Sequence, residues 1–295
     1  MIVLVPADVL RPGHADAHFA ADAEAARASG MEVGLVDHDA LTRTGAPDPR
    51  AAVRRVRGEG PAIYRGWMLR SEQYAAFDDA LRGRGVTLCT NARHYRRAHE
   101  FPGWYDVFAR LTPESSWTRG VGRDEFDRAR AVLGPGPAVV RDYTKSMKHH
   151  WHEAMYIPDL ADTDAAWQVA RRLRELRGPD LTGGFVLRRF EDLAAEEVRT
   201  WWVDGNCRLV GPHPDTPDRM PAPGPDLTTV EPLVRELGCP FVTVDFALRS
   251  DGVWRVLEVG DGQVSDRPAT LAPQRLLTVL GSLGGPDAPP EDRSR

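Results

Sequence analysis

Apolar and polar positions along the chain alternate between two periods. Ile2 to Pro6 is an unbroken aliphatic run of strand length, and Asp16 to Ala28 carries an alanine-rich helical spacing that stops at Gly30. Met31 to Val36 reads as a second strand and Ala62-Ile63-Tyr64 as a third. Ser71 caps a helix running to Leu81, and Val86 to Cys89 follows Gly85 as a fourth strand. Strands alternating with helices at this spacing predict a small parallel α/β domain over residues 1–94.

Residues 95–137 break that rhythm. Tyr95 to Arg110 is helical in pattern but contains Pro102-Gly103, which predicts two short helices joined at a bend, and Asp124 to Leu133 is a further helix. Gly134-Pro135-Gly136-Pro137 then closes this helical connector. A second unit is expected over 138–284, opening with a strand from Ala138 to Tyr143 and a helix from Asp164 to Arg177. Further strands are expected at Gly184 to Phe190, Val198 to Val203 and Cys207 to Val210, the last two as an antiparallel pair. After a loop from His213 to Pro225 holding five prolines come a helix over Thr229 to Leu237 and two strands, Phe241 to Leu248 and Trp254 to Val259. A helix from Pro273 to Leu280 closes the unit. Residues 285–295, rich in proline and mixed charge, read as a disordered tail.

Composition narrows the class. With 42% hydrophobic and 27% charged residues the 295-residue chain has ordinary globular content. Thirty-eight basic against forty-three acidic side chains leave a net charge of −5, so no global positive field draws it to nucleic acid or an anionic membrane. The early apolar run is far too short to span a bilayer and lacks the flank of a signal peptide, which predicts a cytoplasmic protein. Three widely spaced cysteines, Cys89, Cys207 and Cys239, argue for free thiols rather than a disulfide framework or zinc site. His149, His150 and His152 lie on a loop where adjacent rings diverge, and the His14/His18 pair has no third ligand nearby, so surface roles fit both groups.

Three segments carry chemistry. In the first, Asp251-Gly252 is a turn dipeptide flanked by two apolar strands, each with one carboxylate, Asp245 and Glu258, thirteen positions apart. Counting outward from the turn sets these two acids nearly opposite, where like charges repel unless a cation sits between them. Magnesium, held by one or two carboxylates with water and phosphate oxygens, resolves that conflict. In the second, Val139-Val140-Arg141 runs into Lys145 and Lys148, three cations at a strand end placed to fold over a polyphosphate. In the third, alternation puts Glu197, Arg199 and Trp201 on one face of a strand, where Arg199 meets either an anion or Glu197. Tyr64-Arg65-Gly66-Trp67 stands at the C-terminal end of a parallel strand, the edge where such sheets place ligands, so Arg65 is a candidate clamp for a substrate carboxylate. Sequence signatures of P-loop nucleotide binding, zinc proteases, serine hydrolases and Cys-x-x-Cys redox chemistry are absent.

The order of these parts, with the wording Arg141-Asp-Tyr-Thr-Lys145-Ser-Met-Lys148-His, Tyr64-Arg-Gly-Trp-Met-Leu69 and Glu258-Val-Gly-Asp-Gly-Gln-Val-Ser265, resembles the ATP-grasp superfamily. Within it the chain is similar to the clade named for its arginines and lysine. The resemblance implies an ATP-grasp fold of the α/β (α+β) class behind the small N-terminal α/β domain, with ATP and Mg2+ as cofactors. It puts Arg141 at the phosphate-contacting strand end and Lys145 and Lys148 in the phosphate loop. Phe190 then flanks adenine, with Arg189 beside it among the cofactor-binding residues, and Glu191 or Glu197 holds the ribose. Asp245 and Glu258 match the magnesium ligands. The family's terminal Glu-x-Asn reads Glu258-Val-Gly260 here, which leaves Asp261 as the third ligand. Many relatives carry an arginine two residues before the first aspartate, where this chain has Thr243, so Arg199 takes the role of stabilising an acyl phosphate, and the hinge carboxylate position holds Arg188.

The activity implied is ATP-dependent joining of a small-molecule or peptide carboxylate to an amine, by a monomer or homodimer. A nucleotide-binding module without ligase chemistry and an ATP-dependent phosphotransferase are the alternatives.

Overall fold

The computed structural model describes residues 1–283; the expected tail at 285–295 lies outside the described residues. Among the described residues, twelve strands form three four-stranded sheets. The first contains β1 (Ile2–Pro6), β2 (Glu32–Val36), β3 (Gly60–Tyr64) and β4 (Val86–Leu88), in the order β2-β1-β3-β4 with every pairing parallel. This is the parallel α/β sheet the alternating pattern predicts, and β1 at its centre is buried along its whole length, as a strand covered on both faces must be. The second sheet contains β5 (Ser115–Trp117), β6 (Ala138–Arg141), β7 (Tyr156–Ile157) and β8 (Val186–Arg189), antiparallel throughout in the order β5-β8-β6-β7. The third contains β9 (Leu193–Val203), β10 (Asn206–Pro212), β11 (Phe241–Arg249) and β12 (Trp254–Asp261), in the order β10-β9-β11-β12.

Compactness divides the chain into two units that do not follow the linear boundaries read from sequence. One unit holds residues 1–98, 196–245 and 260 onward; the other holds 99–195 and 246–259. The first unit has two apolar clusters. One, between β1, β3 and the helix Ser71–Arg82, contains Tyr64, Tyr74, Phe77 and Tyr95. The other joins β1 and the helix Ala20–Ala28 to Trp201, Phe241 and the helix Pro273–Leu280. The second unit packs Phe126, Phe185, Leu173 and Leu187 beneath its antiparallel sheet.

The bend expected at Pro102-Gly103 falls earlier. Helices Ala92–His99 and Phe101–Phe108 meet at Glu100, and Pro102 sits within the first turn of the second helix, where its missing N–H costs nothing. β5 and β7, two or three residues long, carry too few positions to show a period and are not legible in the pattern.

Candidate active site

In the second unit, β6 ends at Arg141 and the chain turns at once. Asp142 makes that turn. Its Oδ1 accepts from the main-chain N–H of Thr144 (2.7 Å) and of Lys145 (2.6 Å) and from the Thr144 hydroxyl, while its Oδ2 takes Arg177 Nε at 2.8 Å. An aspartate bonding its own backbone two and three residues on is a common turn former, and here it fixes where Lys145 leaves the strand. Asp142 is fully buried, so Arg177, in the last turn of the helix Thr163–Arg177, supplies the charge that burial demands. Neither role is legible in the sequence, because Arg177 lies thirty-five positions away. Lys145 itself is exposed, as is Lys148 in the short 3-10 turn that follows.

Arg141 Nη1 lies 3.1 Å from Glu258 Oε2, so the structure brings together two residues named from separate motifs. Beside them is Arg188, which the sequence marks only as a departure from the family pattern. It is buried, its Nη1 donates to Leu257 O at 2.8 Å, and its guanidinium lies 5.3 Å from the centre of the Phe101 ring. Its Nε and Nη2 have no partner among the described residues. Burial, and then the neighbouring charge of Arg141, pushes the Arg188 pKa down to about 9. Partly buried His99 shares these neighbours; burial pushes it down to about 4, against the pull of Glu258. The signal for Arg188 lies in its surroundings: an arginine inside Phe185-Val186-Leu187 and its partner strand has no water to turn to.

The adenine and ribose candidates fare unevenly. Phe190 stands edge-on to Tyr156 (5.3 Å) and Trp151 (6.2 Å), which are stacked on each other, giving an aromatic group suited to a flat base. Arg189 instead turns to the end of the helix Arg123–Leu133. It donates to the carbonyls of Leu133 and Pro135, as a cation at a helix C-terminus does. Both oxygens of Glu191 are held by Arg255, at 2.8 and 3.0 Å, and Arg249 lies 3.4 Å away; as the structure stands, its carboxylate braces strands rather than waiting for a ribose.

In the first unit, Asp245 interrupts a strand that is buried from Phe241 to Ala247. Arg199 answers it with a two-pronged contact, Nε to Oδ1 at 2.8 Å and Nη2 to Oδ2 at 2.7 Å. The same guanidinium donates to Asp266 O and to His213 Nε2 (2.9 Å). Arg199 thus meets an anion from within the chain, Asp245, forty-six positions away. The sequence marks His213 only as the start of the proline-rich loop. Among the described residues, Glu197, His213 and Asp245 form the one group of three whose ligand atoms all lie within 4.8 Å of one another.

Two expectations for this unit are corrected by burial. Arg65 is 2% exposed: its Nε and Nη2 contact Asp22, and its Nη1 contacts the carbonyls of Gly262, Gln263 and Ser265. It staples the turn after β12 and does not reach for a substrate. Asp261 is fully buried. Its Oδ1 accepts from the main chain (2.9 Å) and side chain (3.1 Å) of Gln263, whose amide also reaches the Tyr74 hydroxyl, and its Oδ2 has no partner among the described residues. Burial raises its pKa to about 7, so it sits as a walled-in carboxyl rather than an ion ligand open to solvent. Gly260, in place of the family's asparagine, is a tight position: a Cβ there would lie 3.1 Å from Thr243 Oγ1 and 3.4 Å from Ser265 Oγ, hydroxyls that pair with each other at 2.7 Å and would have to give way slightly.

Residues 132–280 match the ATP-grasp domain model described as family 3 of the clade named for its arginines and lysine. The chain belongs to this family. No curated protein sequence matches it. Among solved structures, it is similar to a RimK domain ATP-grasp protein from Sphaerobacter thermophilus, with 21% identity, 95% of each chain covered and a TM-score of 0.56. It is also similar to the D-cycloserine synthetase DcsG (17% identity, 96% of this chain and 99% of that one, TM-score 0.60). A third is the ATP-grasp ligase PsnB, solved with a precursor peptide and AMPPNP (14% identity, 96% of each chain, TM-score 0.56). At these identities the likeness speaks to fold: the ATP-grasp architecture expected from the motif order is the one this chain has. Among the described residues no helix is long and apolar enough to cross a membrane.

Proposed function

We propose that this ATP-grasp protein is an ATP-dependent, ADP-forming ligase that joins a carboxylate to an amine. The observation that carries the reading is the cationic group of the second unit. Arg188 is buried with two guanidinium nitrogens unpartnered among the described residues, next to Arg141 and near the turn that presents Lys145. A buried cation left short of acceptors is costly, and folds retain one where an anionic ligand supplies the missing partners. A polyphosphate has the charge and the acceptor oxygens for this. Phe190, Tyr156 and Trp151 offer the flat apolar surface that an adenine stacks against.

In this reading Arg141, Lys145, Lys148 and Arg188 neutralise the phosphates and hold them in line, which is most of what a protein contributes to phosphoryl transfer. Asp245 in the first unit and Glu258 in the second are each a carboxylate offered to Mg2+ in this reading. Each is countered by an arginine in the structure, Arg199 and Arg141 respectively, so both already stand in a cation's field. Bound magnesium supplies charge neutralisation at the transferring phosphoryl group. Arg199, with its planar fork, stabilises the acyl phosphate formed on the substrate carboxylate, and the amine then displaces phosphate. Solved relatives support either substrate size: DcsG is a D-cycloserine synthetase and PsnB was solved with a peptide. The coarser statement, a small-molecule or peptide acid joined to an amine, is the one proposed.

The test is Arg188→Met. Removing an under-partnered buried cation raises the denaturation midpoint of the ATP-free chain while weakening Mg-ATP binding at least tenfold, as loss of a charge-assisted contact to phosphate does. Unchanged Mg-ATP affinity would take Arg188, and the phosphate site built on it, out of the mechanism.

A further inference from the structure

The Glu197–His213–Asp245 group is not explained by magnesium binding. Register builds it. β9 and β10 pair Val198 with Pro212 and Arg199 with Gly211, and the His213 N–H donates to Glu197 O at 3.0 Å, so Glu197 and His213 are the next cross-strand neighbours. Asp245 comes from the buried centre of β11. His213 Nε2 lies 3.7 Å from Asp245 Oδ2, and all three ligand atoms lie within 4.8 Å of one another.

A cation already occupies this group. Arg199 Nη2 is 2.7 Å from Asp245 Oδ2 and 2.9 Å from His213 Nε2. An arginine only donates, so His213 Nε2 presents its lone pair to that cation, which is the form in which imidazole binds a metal. The other ring nitrogen faces Asp215, with the main-chain N–H at 3.2 Å and the carboxylate at 3.6 Å. The residue across from Arg199 is Gly211, which puts no side chain against the arginine from that strand position.

We propose that Glu197, His213 and Asp245 form a binding site for a divalent transition ion, Mn2+, Co2+ or Zn2+, and that Arg199 is the exchangeable cation that fills it when no metal is bound. One imidazole and two carboxylates favour these ions over Mg2+, which takes oxygen ligands and releases its water reluctantly. The inference deepens the ligase reading at Asp245, but its test contains no ATP and no substrate.

The experiment is calorimetric titration of the full ATP-free chain with CoCl2, with the visible absorption of Co2+ recorded alongside, on wild type, His213→Ala, Glu197→Gln and Arg199→Ala. The expected result is one-to-one binding in wild type. His213→Ala and Glu197→Gln weaken it about tenfold or more, at least as much as losing a supporting residue costs a metal site. Arg199→Ala, which deletes the competitor, tightens it, an effect that general loss of structure does not produce. Absence of one-to-one binding in wild type, equal affinity in His213→Ala, or binding no tighter in Arg199→Ala would each overturn the proposal. Co2+ binding that persists while Mg-ATP binding fails would instead remove the ligase reading and leave the site standing.

Discussion

Replacing Asp261 by asparagine should stabilise the protein at neutral and alkaline pH and flatten its stability profile. The carboxyl is fully buried, and burial raises its pKa from 3.8 to about 7. Its folded-state pKa lies above its unfolded one, so the folded chain binds the proton more tightly. Its contribution is therefore fully present below about pH 4 and is lost as pH rises through about 7. At about 1.36 kcal/mol per pKa unit the loss amounts to about 4 kcal/mol in all, of which about 2.5 kcal/mol falls between about pH 5 and pH 8. Asparagine keeps an acceptor for the Gln263 N–H groups and carries no charge. Urea unfolding at these two pH values checks this: the wild-type value should fall by about 2.5 kcal/mol more than that of Asp261→Asn. Equal pH slopes, or a mutant less stable than wild type at the higher pH, would show that the buried carboxyl is not the source. A metal bound through Asp261 would produce the second outcome whenever divalent ions are present.

Four further results are expected. Arg65→Ala leaves Asp22 buried without its main partner and lowers stability by about 3 to 5 kcal/mol; unchanged stability with a raised substrate KM would restore the substrate clamp. Asp142→Ala, by stranding Arg177 and freeing the Lys145 turn, costs about 3 kcal/mol and shrinks the thermal shift given by Mg-ATP. In wild type that shift corresponds to about 2.7 kcal/mol at a hundredfold excess over Kd, and Lys145→Ala and Arg141→Ala each reduce it; retention in both would leave the turn a solvated loop. His99, held at about 4 against an ordinary 6.5, is favoured neutral in the fold, so the stability it lends is lost as pH falls through that window, and His99→Gln should remove that part of the acid sensitivity, as read by melting temperature.

What is legible in the sequence divides by range. Long periodic segments declare their elements directly. The parallel order of β1 to β4 follows from strands joined by helices, and the Asp251-Gly252 turn marks the β11–β12 hairpin. Arg141, Arg199, Asp245 and Glu258 stand out because a charge amid apolar strand residues has to be explained. Their partners do not: Asp245 meets Arg199 across forty-six positions and Arg141 meets Glu258 across one hundred and seventeen. Arg65 and Asp261 mislead for the same reason. A polar residue at a ligand-binding edge looks the same in sequence whether it faces a substrate or, as here, ties down the turn of residues 261–265. His213 shows the converse, a residue in a proline-rich loop that register returns to Glu197.

The ligase reading is tested most directly by following the nucleotide. With Mg-ATP, a pool of carboxylates and a pool of amines, phosphorus NMR should show ADP and inorganic phosphate forming in equal amounts only when both pools are present, with a new amide in the same amount. Arg199→Lys, which keeps the charge but not the fork, should retain ATP binding and lose most of that turnover. AMP and pyrophosphate as products, a phosphorylated acid accumulating without need of an amine, or no magnesium-dependent ATP binding would contradict it.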